Sequence, residues 1–97
     1  MSQNEQTLVA DIAGTDFSFT VKRDDYNKYI NSVTQNNKVA PSHNFLMTTV
    51  DEKQKASLKQ LLASTPGAEV QIASAVLEEY TPDLAIVVKK SSSVQAD

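Results

Sequence analysis

Apolar and polar residues alternate from Thr7 to Lys22 and then change period. Phe17, Phe19 and Val21 alternate with Ser18, Thr20 and Lys22, the two-residue repeat of a strand with one wet face. Leu8, Ala10 and Ile12 give a matching apolar row, with Val9 and Asp11 opposite. Gly14 supplies the backbone freedom of a tight connection between them, so this stretch predicts a β-hairpin. From Tyr26 the period becomes helical. Tyr26, Tyr29, Ile30 and Val33 fall at i, i+3, i+4 and i+7, the spacing of one buried stripe. Asp24 and Asp25 stand where caps and negative charge favour a helix start.

The amides Gln35, Asn36 and Asn37 are read as the end of that helix, since Asn tolerates left-handed backbone. Pro41 biases Ala40 towards extended geometry and suits the first turn of a short new helix. The inner face of that segment is Phe45, Leu46 and Thr49 or Val50. Asp51 and Gln54 have the spacing of a capping box for the next helix. Leu58, Leu61 and Leu62 form its stripe, and Lys53, Lys55 and Lys59 its wet side. Thr65-Pro66-Gly67 stops it, with Pro66 read as the start of a helix running from Glu69 to Tyr80. Val70, Ala73, Leu77 and Tyr80 align there, and Ile72 and Val76 widen the face.

Asp83 to Lys89 is short, apolar and rich in β-branched residues, so it predicts a strand covered on both faces or nearly so. The element order reads β-β-α-α-α-β. The expected fold is α+β: an N-terminal hairpin, three or so helices, and a C-terminal strand joining the hairpin in a three-stranded sheet of order 2-1-3, with the helices on one face. Residues 1–6 and 91–97 carry too little apolar surface to order themselves, which leaves residues 7–90 as a single domain.

Composition narrows the function classes. At 97 residues and 40% hydrophobic the chain fits one small domain. A domain of that size buries only about 60–65% of its unfolded surface. The absence of cysteine removes disulfides, thiol catalysis and thiolate metal sites. The polar start, Met1 to Gln6, has no secretory-signal pattern. The longest apolar run, Leu84 to Val88, is far short of the ~20 residues that span a bilayer. No membrane contact is therefore expected, and the chain is placed in the cytoplasm. Twelve acids against nine bases give a net charge of −3, and no basic run exceeds the pairs Lys22-Arg23 and Lys89-Lys90. That balance argues against nucleic-acid binding, which rests on neutralising phosphates.

Candidate chemistry is sparse. His43, the sole histidine, has no nucleophile and acid at a defined spacing, and reads as a solvent-facing or capping residue. The pairs Asp24-Asp25 and Glu78-Glu79 diverge by roughly 100° on a helix, so neither converges for acid–base work. Ser91 to Ser93 reads as tail, and two glycines, Gly14 and Gly67, make no phosphate-cradling loop. No catalytic, cofactor or metal residues are assigned, and no enzyme is expected. What remains is binding. The polar connection Asn36 to Pro41 can present amides to a partner. Short sheet edges can accept an extended segment, and Lys89-Lys90 can protect such an edge.

Three stretches carry a family likeness: NKYIN at 27–31, NKVAPSHNFL at 37–46, and LEEYTPDLAIVVKK at 77–90. Together they resemble the landmarks of bacteriophage and prophage tail assembly chaperones, and KVAPSHNFL is the most specific of the three. The resemblance implies a non-enzymatic role in building a long tail, in the host cytoplasm, by transient binding of the tape measure protein. No functional residues carry over with it. The rival readings are a minor structural protein of the tail and a small regulator that binds nucleic acid.

Overall fold

The computed structural model describes residues 5–82 and 84–90. A hairpin of β1 (Gln6–Ile12) and β2 (Thr15–Val21) is followed by four helices: α1 (Arg23–Ser32), α2 (Val39–Thr49), α3 (Lys55–Ser64) and α4 (Ala68–Tyr80). A single 3-10 turn, Glu52–Gln54, precedes α3. The strands pair antiparallel, with Leu8 opposite Phe19 and Ala10 opposite Phe17. Ala13 and Gly14 close the turn with φ of 54° and 88°. Positive φ at both positions is the two-residue hairpin turn whose twist matches the strands.

The two-residue alternation of β2 holds through the fold. Phe17, Phe19 and Val21 are buried, and Leu8, Ala10 and Ile12 pack half-buried against the same core. The helices cover this face. Phe45 and Leu46 come from α2, Leu58 and Leu62 from α3, and Ile72, Ala73, Val76, Leu77 and Tyr80 from α4. The row on α4 recurs every three or four residues, the stripe of a helix packed along one side. Tyr26 and Tyr29 of α1 lean on the core without being fully buried, and Ile30 stays largely exposed, so the stripe predicted for α1 is only partly used.

Several expectations are corrected. The C-terminal strand does not form: the sheet has two strands, and Leu84 to Lys90 is exposed, irregular chain. The predicted three-stranded sheet and its 2-1-3 order therefore fall. Local composition reports only a preference for strand, and the described arm does not pair with the side of β1 that the 2-1-3 order assigned to it. On the other side of the sheet, the outer edge of β2 is occupied by residues 50–54. The Asp51 amide donates to the Ser18 carbonyl at 2.8 Å, and Val50 bridges Phe19. Gln54 completes the closure from its side chain. It accepts from the Ser18 amide at 2.9 Å and donates to the Asp16 carbonyl at 2.6 Å. Gln54 is thus a bracket on the sheet, and the capping box read from Asp51 and Gln54 is absent.

Helix ends also shift. The first helix stops at Ser32, two residues before the amide turn, where Thr34 and Asn37 exchange backbone bonds of 3.0 and 3.3 Å. The Lys22 amide donates to the Asp25 carboxylate at 3.0 Å, so Asp25 does serve the start of α1. Ala40 is helical, and the Pro41 segment is a full 11-residue helix that begins at Val39. Pro41 costs nothing there, because first-turn amides have no acceptor within the helix. Pro66 precedes α4, whose N-cap is Gly67 at φ 83°. Gln6, expected to be unordered with the rest of residues 1–6, instead opens β1; residues 1–4, Asp83 and 91–97 lie outside the described residues.

Candidate protein-binding surface

Two of the three stretches that carry the family likeness, 27–31 and 37–46, meet in space. Helices α1 and α2 run together, joined by the amide turn, and enclose a cleft of about 210 Å³. Tyr29, Pro41 and Phe45 supply its apolar floor, and Ala40 leaves room beside them. The Tyr29 and Phe45 rings sit 5.5 Å apart and tilted by 54°. That geometry is the offset approach that aromatic pairs favour. The Tyr29 hydroxyl lies 3.5 Å from the buried Ser42 hydroxyl, at the limit of a hydrogen bond. Around the mouth stand Asp25, Lys28, Ser32, Asn37, Asn44 and Thr48. The rim thus combines amides and hydroxyls with one acid and one base around an apolar floor, the mix of surfaces common in ligand clefts.

Three residues of the polar connection, Asn37, Ala40 and Pro41, line this cleft, and Asn37 is the one side-chain amide among them. Lys38 turns back instead and donates to the Gln35 carbonyl at 3.1 Å. A second cleft of about 520 Å³ lies between the hairpin's start and the end of α4. Gln6, Arg23, Tyr26, Tyr80, Pro82 and Leu84 line it, and the two tyrosine rings lie 5.7 Å apart. Sequence reading missed this cleft, because its walls come from residues distant in the chain. Aromatic stripes at helical spacing were its only trace.

The residues weighed for chemistry do not converge. His43 is half-buried on α2, and Glu78 and Glu79 are exposed on α4. Asp24 is exposed at the start of α1, while Asp25 is committed to the Lys22 amide. Among the described residues, no three or more His, Cys, Asp or Glu side chains gather as a metal site would require. Also among these residues, no helix is long and apolar enough to cross a membrane.

A hairpin closed by four helices, with a cleft lined from two of the three family-like stretches, defines a small α+β protein. The match to known proteins agrees. Residues 7–90 match the phage tail assembly chaperone family, and the chain belongs to that family. It is also 31% identical over 85 residues to an 11.3 kDa protein of the lys 3′ region of Haemophilus phage HP1 (strain HP1c1), covering 88% of this chain and 82% of that one. No solved structure matches the chain.

Proposed function

We propose that this chain acts during phage tail assembly as a chaperone that binds the tape measure protein transiently, in the host cytoplasm and without catalysing a reaction. The observation that carries the reading is the family match across residues 7–90. The α1–α2 cleft gives it a place to act, since NKYIN and NKVAPSHNFL both contribute to its lining. A long client that aggregates before assembly has apolar side chains to shield. A shallow cleft with a polar rim can hold one such side chain and release it later, because little apolar area is buried at each contact.

The test is co-expression with the tape measure protein of the same phage. The chaperone raises the client's soluble fraction and co-purifies with it, and it is missing from purified virions. Substituting Asn44, an exposed residue of the cleft wall, by Trp fills the cleft and breaks co-purification while leaving the helical circular dichroism signal intact. An unchanged client yield with no co-purification overturns the reading, and detection in virions would favour a structural part of the tail.

A further inference from the structure

The hairpin has one closed edge and one open one. Residues 50–54 fence β2, whereas the side of β1 facing away from β2 makes no backbone hydrogen bond with any described residue. A free edge strand is a template for another extended chain. The same molecule carries a segment with the matching properties. Leu84, Ile86, Val87 and Val88 are 73%, 72%, 77% and 89% exposed, an apolar run with three β-branched residues in a row. Exposed apolar runs of this kind mark contact sites.

We propose that the arm Leu84–Lys90 of one copy pairs in parallel along β1 of a second copy, and that the exchange is reciprocal and closes a dimer. This goes beyond the chaperone reading and needs no client. Three observations commit the edge to that occupant. First, the arm's described residues, 84–90, match the seven of β1, roughly 23 Å each at the rise of a strand. Second, the register that sets Val87 beside Val9 also sets Ile86 beside Leu8 and Val88 beside Ala10. Val9 is 62% exposed, and the pairing shields it. Third, the same register brings Lys89 to Asp11. Asp11 stands directly opposite Asp16 on β2, and neither makes an ion pair among the described residues. Like charges facing across a strand pair are unfavourable, and a lysine from a third strand offsets them. Within the single chain the described arm forms no strand on this edge, which leaves the edge open to the arm of a second copy. A two-fold exchange uses each edge once and leaves no open end to propagate.

The chain has no cysteine, which makes thiol cross-linking specific. One preparation of the full chain carries Val9→Cys and another Val87→Cys. Mixed, they are expected to join through a short thiol cross-link, while each alone stays largely uncoupled. Light scattering should give twice the monomer mass of 10.6 kDa for the unsubstituted chain. The double variant Ile86→Pro/Val87→Pro, which removes two successive strand amides, should return the mass to the monomer's with unchanged circular dichroism. A monomer at every concentration overturns the proposal. So does a dimer that survives the proline variant, or a mixture of the two cysteine preparations that fails to cross-link. None of these readouts involves a tail protein, so failure here is separable from failure of the chaperone reading.

Discussion

At the scale of single residues, Gln54 carries more of the fold than its position suggests. It is a polar residue at the end of a 3-10 turn, yet its amide group satisfies two backbone groups of β2. Truncation in Gln54→Ala leaves the part-buried Ser18 amide without an acceptor. An unsatisfied buried donor costs about 1–3 kcal/mol. The urea midpoint should fall accordingly with an unchanged slope, while Gln60→Ala on the exposed side of α3 should stay within about 0.5 kcal/mol of the parent. An equal effect of the two would show that the bracket contributes nothing. Tyr29 gives the opposite case. Its contact with Ser42 spans 3.5 Å, so Tyr29→Phe is expected to cost well under 1 kcal/mol, with the ring packing on Phe45 kept.

At the scale of elements, the hairpin turn holds a correctable strain. Ala13 adopts φ 54°, a left-handed conformation that costs a residue with a Cβ roughly 1–2 kcal/mol. Asn is better suited to that position ahead of Gly14. Ala13→Asn should therefore raise stability by about 0.5–1 kcal/mol, which for a domain of this size raises Tm by roughly 2–8 °C. A lowered Tm would mean that the turn is held by its strands alone. Gly14→Ala should act in the reverse sense, because φ 88° gains nothing from a side chain even though no atom lies within 4 Å of the added carbon.

The same scale shows what the sequence could disclose. The hairpin and the helical stretches were legible, although the element order counted three helices where four form, because burial on one side imposes a period, two residues for Phe17, Phe19 and Val21 and close to four for Ile72, Val76 and Tyr80. Long-range partners impose no period. Asp51 and Gln54 satisfy the spacing of a capping box, but Gln54 bonds to β2, 36 and 38 residues away. Leu84 to Val88 has the composition of a buried strand, yet the fold gives it nothing to be buried by. The α1–α2 cleft was legible only as a family-like stretch. Its lining pairs residues of two helices, and neither helix reveals the other's contribution.

At the scale of the whole molecule, the core and the arm are separable. Every residue of the core cluster lies between Leu8 and Tyr80, and everything described beyond Pro82 is exposed. Ending the chain at Pro82 should consequently leave the unfolding free energy of the dilute protein within about 0.5 kcal/mol of the full chain. The two should diverge as concentration rises, because association of folded copies adds stability by mass action. The expected result is a urea midpoint that climbs with concentration for the full chain and stays flat for the shortened one. A shortened chain that unfolds markedly earlier at low concentration would show that the arm packs on its own domain. If the divergence is seen, the molecule divides its labour in a physically sensible way. The helices and β2 hold the fold, while the arm and the open side of β1 remain available to other chains.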